Sequence, residues 1–140
     1  MTSDSLERFV RAQEPIIDRV MTELRAGHKT SHWMWFFFPQ LQGLGHSPMA
    51  QRFALSSRAE AEAYLRHPIL GPRLRECTRL VNAVDGRTIE EIFGHPDDLK
   101  FRSSMTLFAH ATADNHVFAD AIEKYFGGEY DPLTLARLEP

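Results

Sequence analysis

Two segments of this sequence concentrate side chains that could do chemistry. The first, Ser31-His32-Trp33-Met34-Trp35-Phe36-Phe37-Phe38-Pro39-Gln40, holds both tryptophans of the chain, three of its ten phenylalanines and a histidine. It runs into the glycine-punctuated Leu41-Gln42-Gly43-Leu44-Gly45. So apolar a run must be covered by the rest of the protein, yet His32, Gln40 and the two indole N–H groups need polar partners wherever they are buried. That mixture suits the wall of a pocket. Trp33 and Trp35 would stack on a ring, Gln40 would contact a polar edge, and His32 would transfer a proton or donate a hydrogen bond. A purely structural aromatic core accounts for the same residues.

The second segment is Asp97-Asp98-Leu99-Lys100-Phe101-Arg102-Ser103-Ser104-Met105-Thr106. On a helix Lys100, Ser103, Ser104 and Leu107 share a face at i, i+3, i+4 and i+7, with Thr106 to one side. An ammonium and three hydroxyls there could hold an anionic or hydroxyl-rich ligand. Lys100, with His32 as the second catalytic candidate, would supply charge, and Ser103, Ser104 and Thr106 would act as adaptable donors. The rival reading pairs Lys100 with Asp97 or Glu90 and turns the hydroxyls back onto their own helix.

Other chemistries find no support. The seven histidines form no His-x-x-x-His pair on a helix, and His28 and His32, although four apart, straddle Ser31. Cys77 is the one cysteine, so no paired-cysteine zinc site or internal disulfide is available. Gly43-Leu44-Gly45 lacks the third glycine, the strand and the acid of a dinucleotide fingerprint, and neither a phosphate loop nor a Gly-x-Ser-x-Gly motif is present. The expectation is no metal and no cofactor.

The elements that must position these residues are written in caps and apolar spacing. Leu6, Phe9 and Val10 form one face behind a cap at Asp4 or Ser5. After Pro15, the residues Ile16, Ile17, Val20, Met21 and Leu24 recur at helical spacing, with Gly27 at the C′ position. The aromatic segment reads as a helix capped by Ser31 and stopped before Pro39, because no second strand is available to pair with it.

Ser47-Pro48 opens a short helix carrying Met49, Phe53 and Leu55. Ser57 with Glu60 is a capping-box pattern before Arg58–Arg66. His67-Pro68 breaks the chain, and Leu70 to Val84 forms a longer helix with Pro72 in its first turn. Thr88 with Glu91 repeats the capping box, and Pro96-Asp97-Asp98 starts the hydroxyl-bearing helix. Asp114 caps a helix with Val117, Phe118, Ala121, Ile122, Tyr125 and Phe126 inward. Asp131-Pro132 begins a last one that docks through Leu133, Leu135 and Leu138. The pattern predicts an all-α fold, a compact single domain over residues 1–140 of about eight or nine short helices.

Composition narrows the function classes. At 140 residues and 43% apolar content the chain matches one ordinary globular domain. The formal charge of −3 is spread over 16 basic and 19 acidic residues with no basic block, which disfavours nucleic acid as the partner. The unbroken apolar run Trp33–Phe38 is too short to span a membrane. The N-terminus lacks a signal-peptide pattern, and a lone cysteine fits a reducing, cytoplasmic setting.

The ordered set Phe9-Val10-x-Ala12-Gln13, Gly27-x-Lys29-x-Ser31-His32-Trp33-Met34-Trp35-Phe36-x-Phe38-Pro39-Gln40-Leu41-x-Gly43-Leu44-Gly45, Glu62-Ala63-Tyr64-Leu65, His67-Pro68-x-Leu70-Gly71-x-Arg73-Leu74 and Asp98-x-Lys100-x-x-Ser103-Ser104-Met105-Thr106-Leu107-Phe108 resembles the bacterial domain-of-unknown-function 1810 family over nearly the whole chain. The resemblance implies a small, mainly helical protein without an assigned activity. A weaker likeness is to helical proteins that process ADP-ribose and related N-glycosides. In those a glutamate commonly precedes the matching histidine, whereas here that place is Ser31. Asp97, Asp98 and Glu91 are the acids that could substitute.

Three readings follow from these residues. The protein acts on a nucleotide-like or ribosylated small molecule, or it is a non-catalytic module that binds a metabolite or peptide, or the aromatic and hydroxyl residues are structural with function elsewhere.

Overall fold

The computed structural model describes residues 2–138, and among these the chain forms ten helices and no strand. α1 spans Thr2–Gln13, α2 Ile17–Arg25, α3 Met34–Phe37, α4 Pro48–Arg52 and α5 Arg58–Arg66. α6 spans Leu70–Asn82, α7 Ile89–Phe93, α8 Asp97–Ala109, α9 His116–Phe126 and α10 Pro132–Leu138. The all-α expectation holds. Each of the ten segments read from caps and apolar spacing stands as a helix, slightly more than the total of about eight or nine.

α8 is the central element. Its residues Phe101 and Ser103 to Ala109 are buried, so it is enclosed nearly all round, as expected for a helix without a wide polar face. α5, α7, α9 and α10 pack against it, while α6 packs against α2, α5 and α9, and α1 packs on α3 and α5. Burying a ring such as Phe101 or Phe108 completely contributes roughly 2–3 kcal/mol. Edge-on aromatic contacts order this core: Phe38 meets Phe101 at 5.2 Å between centroids and Phe93 at 5.7 Å.

Close approach fixes one helix junction. A Cβ on Gly71 would lie 2.1 Å from the carbonyl oxygen of Leu65, so only glycine lets α6 pass the end of α5. His67 finishes the corner as a cap. Its Nδ1 accepts from the N–H groups of Ile69 (3.1 Å) and Leu70 (3.3 Å), which leaves Nε2 to face Glu7 at 3.3 Å.

The expected caps divide. Thr88 and Glu91 form the full reciprocal capping box. Ser57 accepts from Glu60 N–H, but the Glu60 carboxylate turns to Ser56 N–H at 2.7 Å and Ser5 Oγ at 3.0 Å, so that box is half made. Helix α1 already runs from Thr2, so Asp4 and Ser5 both lie within it and neither is its cap. Asp114 does not cap α9 either: the N-cap position is Asn115, and the Asp114 carboxylate sits 3.4 Å from His116 Nδ1.

Leu55 belongs to no helical face. It forms an isolated parallel bridge with Leu41, closed by Gln42 N–H to Leu55 O (2.7 Å) and Leu55 N–H to Gln40 O (2.9 Å). α10 docks differently from the expectation, with Thr134 buried, Leu138 packed on the core and Leu133 67% exposed.

Candidate functional site

Residues 28–33 connect α2 to α3 and build one wall of a surface cavity, and a buried carboxylate shapes them. Glu23, on the inward face of α2 with Val20 and Leu24, accepts from Thr30 N–H (2.8 Å), Ser31 N–H (3.3 Å), Ser31 Oγ (2.6 Å) and Trp33 Nε1 (2.8 Å). Burial works against its charge, but the hydrogen bonds from Ser31, Thr30 and Trp33 outweigh that and hold the carboxyl down at about 2. Ser31 is therefore spent on Glu23 and does not cap α3. The N-cap position is Trp33, without a side-chain hydrogen bond, and the helix shrinks to Met34–Phe37. Gly27, at φ +68°, turns the chain out of α2, and Lys29 N–H to Ile92 O (2.8 Å) ties the connection to α7.

The opposite wall is the passage from α7 into α8. Together these segments enclose a cavity of about 350 Å³ lined by Lys29, His32, Trp33, Trp35, Asp97 and Lys100, with His95, Pro96 and Phe93 completing it. Asp97 lies between two cations: Lys29 Nζ is 2.8 Å from its Oδ2 and Lys100 Nζ is 3.2 Å from its Oδ1. Each ammonium also stands over an indole, Lys29 at 5.3 Å from the centroid of Trp33 and Lys100 at 5.6 Å from that of Trp35.

His32 is exposed and, among the described residues, its ring makes no hydrogen bond. Trp33 is 1% exposed and reaches Glu23, so it forms the floor and offers little face for stacking. Trp35 is half-buried, and its Nε1 is enclosed without a hydrogen-bond partner.

The two segments offer eight candidate site residues, and the structure divides them. His32, Trp33, Trp35 and Lys100 share the cavity of about 350 Å³. Gln40 lines an adjoining crevice with Trp35 and Lys100. It also lines a cavity of about 500 Å³ in which Lys100 and Ser103 meet Leu44, Leu99 and Leu133.

Ser104 and Thr106 line none of these. Ser104 is fully buried with an unpartnered Oγ. Thr106 Oγ1 donates to Arg102 O at 2.8 Å and accepts from Asp131 N–H at 2.9 Å. Ser103 Oγ is within 3.0 Å of Asp131 Oδ2 and 3.2 Å of Leu99 O. These two hydroxyls and Asp131 fasten the start of α10 to α8.

The residues that sequence reasoning missed are Glu23 and Lys29. Asp97 is both a substitute acid and the partner that the rival reading gives Lys100, and the structure makes that pair at 3.2 Å, with the Ser103 and Thr106 hydroxyls turned back to carbonyls of their own helix. Of the other two substitutes, Asp98 faces His95 at 3.0 Å and Glu91 is engaged in its capping box. Among the described residues no group of three or more His, Cys, Asp or Glu is placed to hold a metal ion, and no helix is long and apolar enough to cross a membrane.

The fold and this cavity define a class: a small all-α domain whose aromatic connection and central helix bring two lysines onto one carboxylate. The family described as a protein of unknown function (DUF1810) matches residues 3–138, and the chain belongs to it. It is similar to the conserved hypothetical protein Rv1873 from Mycobacterium tuberculosis, whose crystal structure aligns at a TM-score of 0.96. The two share 61% identity, with 96% of each chain covered. No curated protein matches the chain.

Proposed function

We propose that the protein binds a small anionic molecule bearing a planar ring, of the nucleotide-like class, in the cavity between the α2–α3 connection and the start of α8. One observation carries this reading. Trp35 offers an aromatic surface beside the Lys100 ammonium on the cavity wall, so a ring and a cation adjoin in one cavity. Of the charged side chains that line the cavity, Lys29 and Lys100 are the cations and Asp97 the carboxylate, while Glu23 lies behind the wall, spent on Thr30, Ser31 and Trp33, so an anion would be held by direct contact with the two ammoniums. Gln40 in the adjoining crevice would contact an edge of the ring. Ser103, Ser104 and Thr106 support the helix that presents Lys100.

A second reading, turnover of an N-glycoside such as an ADP-ribosyl compound, is favoured by the placement of His32 and Asp97 on the same cavity. Asp97 would supply the acid that Ser31 lacks, with His32 as the proton-transferring partner.

Both readings are tested by incubating the protein with nucleotides and ADP-ribose derivatives while following Tm and ligand mass. A ligand at a hundredfold its Kd stabilises by about 2.7 kcal/mol. The binding reading expects a rise in Tm that Lys100→Ala and Trp35→Ala abolish. Intact ligand mass assigns a binding module, altered mass assigns an enzyme, and an unchanged Tm across the panel refutes both.

A further inference from the structure

Lys29 and Lys100 reach one carboxylate from different parts of the chain. Lys29 comes from the connection after α2, and its side chain is only 7% exposed; Lys100 comes from α8, one turn beyond Asp97, and is 25% exposed. Each ammonium takes a different oxygen of Asp97, at 2.8 and 3.2 Å. Two cations on two oxygens of one oxyanion is also how a lysine pair would hold two oxygens of a phosphate.

We propose that Asp97 is an internal placeholder in an anion subsite, and that it makes the site selective for dianions: a phosphate monoester, or the terminal phosphate of a longer molecule, displaces it from the lysine pair, whereas a monoanion does not. This rests on reading the cavity as a small-anion site. The selectivity follows from charge. Asp97 is tethered beside the lysines at a high effective concentration, so a free monoanion offers no charge that Asp97 does not already supply. A dianion adds a second negative charge opposite two ammoniums, in a half-buried setting where the pairing is weakly screened. Asp97 stands in the first turn of α8, so moving aside takes a change of side-chain rotamer and no rearrangement of the helix. Of the cavity's other titratable groups, His32 makes no competing ion pair, and His95 is 3.0 Å from Asp98.

The test compares adenosine monophosphate with its cyclic monoester-free counterpart, cyclic adenosine monophosphate, by calorimetric titration at pH 7.5. The two share base and sugar and differ by one charge. Wild type is expected to prefer the monophosphate by at least about tenfold, and Asp97→Asn to bind it at least about tenfold more tightly than wild type does. Asp97→Asn leaves Lys29 nearly buried and less well paired, so inorganic phosphate should also raise the Tm of this variant more than that of wild type.

If wild type binds both nucleotides equally, or Asp97→Asn binds the monophosphate no more tightly than wild type, the placeholder is refuted while the binding site stands. If neither protein binds either nucleotide or phosphate, the site reading fails and the placeholder fails with it. The comparison on wild type alone decides the matter should the variant not fold.

Discussion

Replacing Glu23 by glutamine should uncouple the cavity wall from α2, and the structure sets the size of the effect. Holding a buried carboxyl at about 2 instead of its ordinary 4.5 corresponds to roughly 3 kcal/mol of folding stability at neutral pH. Glutamine keeps the shape and one acceptor oxygen but loses the charge that strengthens the bonds from Thr30, Ser31 and Trp33. The expected loss at pH 7 is therefore roughly 2 kcal/mol.

The pH dependence gives the sharper test. Because the carboxyl titrates lower in the folded than in the unfolded chain, its contribution is complete well above 4.5 and disappears as pH falls through about 2. Between pH 7 and pH 3 it should decline by roughly 2 kcal/mol, and the gap between wild type and Glu23→Gln should nearly close. Urea denaturation of both proteins at the two pH values measures that gap, since the remaining titrating groups are common to both and cancel. A gap that stays constant between pH 7 and pH 3 would refute the assignment of charge to this carboxylate. The same variant should weaken ligand binding, because residues 28–33 lose their anchor.

Two further outcomes follow from buried groups. Ser104→Ala should leave stability unchanged or raise it by up to about 1 kcal/mol, since it removes a buried hydroxyl that has no partner; a loss above about 1 kcal/mol by denaturant titration would contradict that. Cys77 should react with a thiol reagent at pH 8 only at the rate of unfolding, because burial, aided by neighbouring Glu76, pushes its thiol up to about 12; rapid modification of the folded protein would show that the site opens locally.

Local chemistry made most of the helices legible. Thr88 and Glu91, Ser47-Pro48 and Gly27 act within a few residues of themselves, so their roles follow from spacing alone. Asp114 and Ser31 failed as caps because side chains remote in sequence or on a neighbouring element claimed the local geometry: Arg75 donates to the Asp114 carbonyl, and Glu23 takes the Ser31 hydroxyl.

The site was half legible for the same reason. His32, Trp35 and Lys100 stood out by type, but the pairing of Lys29 with Asp97 joins distant positions through the tie of Lys29 to α7 and the packing of α7 against α8. Glu23 did leave a sign. It lies three residues after Val20 and one before Leu24, an acid on the apolar stripe of α2, where an unpaired charge would be costly. The hydroxyls of α8 misled because a ligand and a neighbouring helix make the same demand on serine and threonine, and α10 met it through Asp131.

The placement of the two indoles makes the protein its own optical probe. Every tryptophan in the chain borders the same cavity, so the tryptophan fluorescence of the whole molecule originates there, without labelling. The two emitters are also unequal. Trp33 is sealed and bonded to Glu23, which gives a steady reference, while half-buried Trp35 beneath Lys100 is the one whose colour and quenching respond to occupancy. Trp35→Phe should leave a spectrum blind to ligand, and the difference between the two proteins is then a direct reading of how full the cavity is.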